Sequence, residues 1–357
     1  MAAAGDPGVF TSPPPQPKEK KAGQLLQWQL EQYFEKGFVV VPSFFHSEEL
    51  APVVAAIADS VSHLANKLFE AGKVSSKHED AGFYERLTLL NKEFEGAAVL
   101  LHKRGYLVPA FQQLWANERL LNVVEQLIGP DIAAHPVWNL RPKIPHNEQT
   151  TVPWHQDNAY LDPSCAGTLQ PTAWIPLIDA TVETGCLQMV SGGHHTGKTA
   201  KHTCCVGDTW YVGLEEAEME STLGVDTERD TVTCEVPMGG VLFFNNCIPH
   251  RSLENRSNKI RWSLDLRWQH PDKPNGFYGR KDCLTLRQKT QPNLAVDWEP
   301  FASWDRTSVQ SEIVGHFEDT FDTTVHGPWM KRWEIVHHNR HTASMESDKD
   351  MLNITKA

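Results

Sequence analysis

Thr151-Val-Pro-Trp-His-Gln-Asp-Asn-Ala-Tyr160 sets His155 and Asp157 two positions apart. In an extended strand the period of two sends both side chains to one face. An imidazole nitrogen beside a carboxylate oxygen suits a borderline divalent metal. Two histidines and one carboxylate, with coordination positions left open, form the donor set of non-haem Fe(II) centres that use oxygen. Such a centre needs a further histidine, and a group to anchor whatever else binds the metal.

The chain has 17 histidines, so position has to choose among them. Val241-Leu-Phe-Phe244 reads as a buried strand, and Asn245-Asn-Cys-Ile-Pro-His250-Arg-Ser252 leads straight out of it. A histidine just past a buried strand can turn inward to a metal held next door. After a turn at Asn255-Arg-Ser-Asn-Lys259 comes Ile260-Arg-Trp-Ser-Leu-Asp-Leu-Arg-Trp268. Ile260, Trp262, Leu264, Leu266 and Trp268 share one face of that strand; Arg261, Ser263, Asp265 and Arg267 share the other. The planar fork of an arginine binds a carboxylate through two parallel hydrogen bonds. Arg261 could therefore seat one end of a dicarboxylate whose keto-acid end chelates the metal. The plainer role is a salt bridge, for instance with Asp265.

Composition bounds the rest. With 357 residues, 40% hydrophobic residues and 12 tryptophans, the chain can build one large domain or two modest ones. A formal net charge of -12 argues against nucleic acid or an anionic membrane as the main partner, though a local basic pocket is compatible with it. No apolar run approaches the roughly 20 residues of a membrane helix. The seven cysteines are odd in number and contain no Cys-x-x-Cys pair, so they suggest neither a disulfide frame nor a thiolate zinc site. The first residues lack the features of a secretory signal or a mitochondrial presequence. The expectation is a reduced cytoplasmic protein, with a peroxisomal location left open; oligomeric state is not legible.

Residues 1–22, rich in proline and lysine, read as a disordered lead. Residues 23–342 read as a single domain and 343–357 as a polar tail. Helical periodicity is expected from Gln24 to Gly37, over 46–72 and over 117–128, with a short strand at 38–42. Residues 73–115 show a mixed pattern. From 131 to 269 short strands at 132–143, 154–160, 172–179, 186–191, 231–236, 241–245 and 260–269 suggest a sandwich or barrel core. Residues 195–230 read as a loop over one mouth of it, and 270–342 as an ordered C-terminal extension.

The order His155-x-Asp157, His250-x-Ser252 and Arg261 resembles the phytanoyl-CoA dioxygenase family of Fe(II)/2-oxoglutarate-dependent oxygenases. The eleven-residue step from His250 to Arg261 matches the family's step from distal histidine to 2-oxoglutarate arginine. Gly37-Phe-Val-Val-Val-Pro-Ser-Phe-Phe-His-Ser-Glu-Glu-Leu50, Thr172-Ala-Trp-Ile-Pro-Leu-Ile-Asp179, Glu183-Thr-Gly-Cys-Leu-Gln188 and Ser191-Gly-Gly-His-His195 are similar to further family blocks. The likeness spans about residues 24–269. It implies a mainly β protein with flanking helices around a double-stranded β-helix, a cupin-like jelly roll. It further implies iron on His155, Asp157 and His250, with no catalytic side chain beyond these ligands. Arg261 and Ser252 would hold the far carboxylate of 2-oxoglutarate. Trp174 would lie near the co-substrate, although its spacing is about one residue off the family pattern.

Asn139, Arg141 and Lys143 alternate onto one face of the preceding strand, and one of them could add a hydrogen bond. The implied partners are Fe(II), 2-oxoglutarate, O2, a small organic or lipid-like substrate, and ascorbate as a supporting reductant. The implied reaction oxidises a C–H bond and releases succinate and CO2. A carboxylate at position 157 argues against a halogenase. A different class, a cupin-like metal-binding protein or pseudoenzyme without turnover, shares the fold. His194, His195 and His202, the pair His337 and His341, and Cys204-Cys205 read as features outside the site.

Overall fold

The alternation between 260 and 269 produces the longest strand among the described residues, Arg261–Gln269, buried along its whole length. The computed structural model describes residues 6–104, 106–304 and 320–345. Its first seven helices are α1 (Gly8–Thr11), α2 (Gln27–Lys36), α3 (Ser47–Glu70), α4 (Arg86–Glu93), α5 (Ala97–Arg104), α6 (Pro109–Trp115) and α7 (Glu118–Ile128). The first six strands are β1 (Phe38–Val41), β2 (Ile132–Ala134), β3 (Asn139–Lys143), β4 (Thr172–Pro176), β5 (Leu187–Val190) and β6 (Thr203–Cys204). Then come β7 (Val212–Gly213), β8 (Thr231–Cys234), β9 (Val241–Phe244), β10 (His250–Ser252), β11 (Arg261–Gln269), β12 (Leu284–Arg287) and β13 (Glu334–Ile335).

The large antiparallel sheet runs β1-β9-β4-β11-β2-β12, with β3 also paired to β11. A smaller sheet runs β10-β5-β8. The two sheets meet through their inner faces: Phe38, Trp174, Leu242 and Phe244 of the first pack with Leu187, Met189 and Cys234 of the second. The outer face of the large sheet carries Val39, Val241, Phe243, Trp262 and Leu264, which join the helices in the main core. A strand covered on both sides has no polar face, which is why Val241–Phe244 reads as a continuous apolar run. This two-sheet sandwich is the expected jelly-roll core.

The expectation of a mainly β chain fails, because helix outweighs strand, 32% against 18%. Helix that the sequence reading did not expect lies in 73–115, which folds as α4, α5 and α6. These helices are short, and Ala97 to Leu101 are all buried, so no one-sided stripe marks them in the sequence. The lead at 6–22, read as disordered, packs onto α7. Phe10 is fully buried, Lys21 pairs with Glu125 at 2.6 Å, and the Gln16 amide donates to the Gln126 carbonyl. Residues 346–357 of the polar tail lie outside the described residues.

Gly37 ends α2 in a left-handed conformation at φ 89°. A Cβ there would fall 2.6 Å from His194 and from Ile248, so the turn into β1 needs both the glycine's conformational freedom and its small size.

Candidate metal and co-substrate site

The segment expected as a strand at 154–160 is not one. His155 forms an isolated antiparallel bridge to His250, exchanging backbone hydrogen bonds of 3.0 and 2.9 Å. The chain then enters a 3-10 turn at Asp157–Tyr160. Asp157 therefore returns beside the imidazoles through a turn rather than through the pleat. Gln156, fully buried, secures that turn. Its amide donates to the Lys198 and Cys247 carbonyls and accepts from the Ala200 N–H, while its own backbone N–H donates to His202 Nε2 at 3.0 Å.

One ligand atom from each of His155, Asp157 and His250 lies within 4.8 Å of the others, and all three residues are buried. Asp157 Oδ1 stands 3.6 Å from His155 Nε2 and 3.9 Å from His250 Nε2. Each imidazole donates Nδ1–H to a backbone carbonyl, His155 to Pro153 at 2.8 Å and His250 to Ile248 at 3.1 Å. That leaves both Nε2 lone pairs facing the carboxylate, the arrangement by which metal-binding histidines are oriented. Burial, and then the neighbouring His155, push His250 down to about 3. Burial would raise Asp157, but the Arg267 guanidinium outweighs it and holds the carboxyl well below its ordinary range. A neutral imidazole and an ionised carboxylate are the protonation states a divalent cation requires.

Arg267 is the residue that sequence reasoning placed on the polar face of β11 without a task. Its Nε and Nη2 both donate to Asp157 Oδ2, at 3.2 and 2.9 Å. The other oxygen, Oδ1, is thereby left to the histidines. The two residues are 110 positions apart, and only the shared face with Arg261 hinted at a role.

Arg261 and Lys143 are register partners across β11 and β3, and both are buried. Arg261 donates Nη1–H to Ser263 Oγ at 2.6 Å, while its Nε has no partner; its guanidinium lies 5.0 Å over the Trp174 ring. Among the described residues Lys143 Nζ hydrogen-bonds only to the Thr151 hydroxyl, at 3.3 Å. Burial pushes Arg261 down to about 10, and burial together with Arg261 and Arg141 drives Lys143 well below the usual lysine range. The plainer role for Arg261, a hydrogen-bonded pair with Asp265, is not what forms. Arg141 Nε takes Asp265 at 2.6 Å. Ser252 Oγ accepts from the Val152 N–H at 2.9 Å, which leaves its own hydroxyl proton to give.

Arg261, Lys143, Trp174 and Ser252 line one cavity together with His155 and His250. Asp157 opens instead onto a second chamber, walled by Tyr160, Trp210, Tyr211 and Trp329. Of the alternating trio, Lys143 faces the first cavity, Asn139 the second, and Arg141 both.

The family model for phytanoyl-CoA dioxygenase (PhyH) matches residues 33–263. The chain belongs to this family of Fe(II)/2-oxoglutarate-dependent oxygenases. It is 27% identical over 212 residues to the 1-deoxypentalenic acid 11-beta-hydroxylase of Streptomyces arenae, covering 57% of this chain and 68% of the relative. It is 23% identical over 270 residues to a phytanoyl-CoA dioxygenase domain-containing protein 1 homolog of Caenorhabditis elegans, covering 67% and 89%. Among solved structures, an apo non-heme monooxygenase, ThoJ, superposes with a TM-score of 0.51 at 17% identity, covering 75% of this chain and 87% of that one. That likeness is one of fold.

In this PhyH-family chain histidines of the other clusters hydrogen-bond to backbone groups, and His337 is exposed. His194 and His195 meet the backbone carbonyls of Phe34 and Glu35, at 3.0 and 2.6 Å. His341 accepts from the Val325 N–H. His202, set aside from the sequence, braces Gln156 between the ligands; burial lowers it to about 3, so it accepts as a neutral ring. Among the described residues, His155, Asp157 and His250 are the one group arranged to hold a metal. Contrary to the reading of the cysteines, Cys204 and Cys205 are joined by a disulfide. Residues 195–230, read as a loop, contain β6, β7 and the helices Glu216–Leu223 and Thr227–Asp230, and their Trp210 and Tyr211 line both cavities. The C-terminal extension clasps the metal-site turn: Arg332 donates to the carbonyls of Asn158 and Leu161, and Trp333 to that of Ala159. No described helix is long and apolar enough to cross a membrane.

Proposed function

We propose that this chain is an Fe(II)/2-oxoglutarate-dependent dioxygenase that hydroxylates, or otherwise oxidises, a C–H bond of a small organic or lipid-like molecule. The observation that carries the reading is the cationic well beside the triad. Arg261 and Lys143 are buried with no carboxylate hydrogen-bonded to either, in the same cavity as His155 and His250. Burying a charge without a partner is costly, and an incoming carboxylate relieves that cost.

In this reading His155, Asp157 and His250 hold the iron, and Arg261 with the Ser252 hydroxyl takes the far carboxylate of 2-oxoglutarate. Lys143 adds a second donor, whose charged form a carboxylate beside it would favour, and Trp174 supports the plane of the Arg261 guanidinium. Bound there, iron and 2-oxoglutarate supply the oxidising power for a C–H bond, with succinate and CO2 as by-products. The chain's own residues fix the geometry. The two Nδ1 hydrogen bonds orient the imidazoles, and Arg267 holds one oxygen of Asp157 so that the other faces the metal. Substrate in the second chamber approaches from the Asp157 side, apart from the co-substrate well. The carboxylate at 157 also fills the position that a halogenase leaves to halide.

Without oxygen, Fe(II) plus 2-oxoglutarate should give the visible charge-transfer band of the chelate, and His155→Ala should abolish it. With oxygen, succinate should appear. Folded protein that gives no band would sink the proposal and leave a cupin-like metal-binding protein without turnover.

A further inference from the structure

We infer that the second chamber receives a carboxylic acid carried on a cyclic hydrocarbon body, and that Arg280 is its anchor. This names the substrate class for the oxygenase reading and rests on it.

Charge is the first observation. The chain as a whole is strongly acidic, at -12, yet the described charged lining of this chamber is Lys103, Arg141, Arg267 and Arg280 against the single carboxylate of Asp157. Three of these cations are engaged inside the protein. Arg267 holds Asp157 at 2.9 Å, Arg141 holds Asp265 at 2.6 Å, and Lys103 faces Asp322 at 3.6 Å. Arg280 is different. Its side chain is half-buried on the wall of the chamber and has no ion pair or hydrogen bond among the described residues. A guanidinium on a cavity wall with no partner of its own is open to a ligand carboxylate, and the planar fork matches that group. A CoA ester would bring several phosphate charges to a chamber with one uncommitted cation.

Shape is the second observation. Trp210, Tyr160, Trp329 and Phe277 present ring surfaces to the cavity. Tyr160 meets Trp329 edge-on at 5.4 Å and His155 at 5.5 Å, so the aromatic wall runs up to a metal ligand. The cavity volume is about 170 Å³ and its mouth is open, which leaves room for a compact ring body. A cyclic body lying along this wall, tethered by its carboxylate at Arg280, presents a ring C–H toward the Asp157 side of the site.

The test uses the full chain with Fe(II) and saturating 2-oxoglutarate under anaerobic conditions, so that the Arg261 well is already filled. Calorimetry then compares 2-naphthoate, 1-adamantaneacetate and lithocholate with their primary amides. At least one acid should bind about tenfold tighter than its amide, the size of a charge-assisted contact, and should shift the visible band of the chelate. Arg280→Leu should bring the acid to the level of the amide, and Arg280→Lys should keep part of the preference. Three outcomes overturn the inference: no acid binds, acid and amide bind equally, or Arg280→Leu leaves acid binding intact. Failure of the band itself strikes the oxygenase reading instead, and the same acid–amide comparison on metal-free protein still reports on the chamber.

Discussion

Arg261 and Arg267 stand six positions apart on one face of β11, and both are buried, 2% and 4% exposed. Arg267 spends Nε and Nη2 on the carboxylate of Asp157. Arg261 has a serine hydroxyl for Nη1 and nothing for Nε. The same residue type on the same strand thus completes two different circuits. One is closed within the chain and sets Asp157, the carboxylate proposed to hold the metal. The other is left for a molecule from solution to close. An uncompensated buried cation is a stability burden, and the fold carries it where a bound anion removes it.

The largest effect should come from breaking the closed circuit. Arg267→Ala strands Asp157 as a buried, unpaired charge, which should lower folding stability by about 3–5 kcal/mol in urea unfolding. In an Asp157→Ala background the same change should cost far less, because no stranded carboxylate remains. If Arg267→Ala behaves like an ordinary surface substitution, the two arginines do not differ in the way described.

The sequence foretold one end of this strand better than the other. Alternation along 260–268 separates the polar and apolar faces cleanly, and the likeness to a known family marks Arg261. Nothing local marks Arg267, because its partner arrives through a turn 110 residues away. That turn was itself misread. His155-x-Asp157 suggested a pleat, but Pro153 has no N–H for a ladder, and Gln156 spends its side chain pinning a tight turn to 198–200 and Cys247. The donor set was legible, whereas the backbone that assembles it was not. Lys143 was one of three alternating candidates, and only its register opposite Arg261 separates it from Asn139. The helices between 73 and 115 escaped notice because they are short, and because α5 is buried continuously from Ala97 to Leu101.

Next in size is the open circuit. Arg261→Ala should leave the stability of ligand-free protein unchanged or raise it, since it removes a buried cation to which no carboxylate is hydrogen-bonded among the described residues. Its effect should appear as roughly 100-fold weaker 2-oxoglutarate binding by calorimetry. The parent should also gain about 2.7 kcal/mol of stability at 2-oxoglutarate concentrations near 100 Kd, and the variant should gain almost none at the same concentration. Stability loss without affinity loss would reverse the assignment of the two arginines. Lys143→Met should follow the same pattern at about a tenth of the affinity effect, since an ammonium gives a point charge rather than a fork.

Ser252→Ala should be the smallest change and the one that divides its effect. The hydroxyl has two uses. It accepts from the Val152 N–H at 2.9 Å, and it is free to donate into the co-substrate cavity. Losing the acceptor leaves a buried backbone N–H unmet, and losing the donor removes a neutral hydrogen bond to a carboxylate. Each loss is worth about 0.5–1.5 kcal/mol. Urea midpoint and 2-oxoglutarate affinity should therefore both fall, the affinity by about threefold, whereas Arg261→Ala moves affinity alone. An affinity loss as deep as that of Arg261→Ala would mean that hydroxyl and guanidinium hold the carboxylate as one unit. Arg261 would then owe its open state to Ser252 as much as to the absence of an acidic partner.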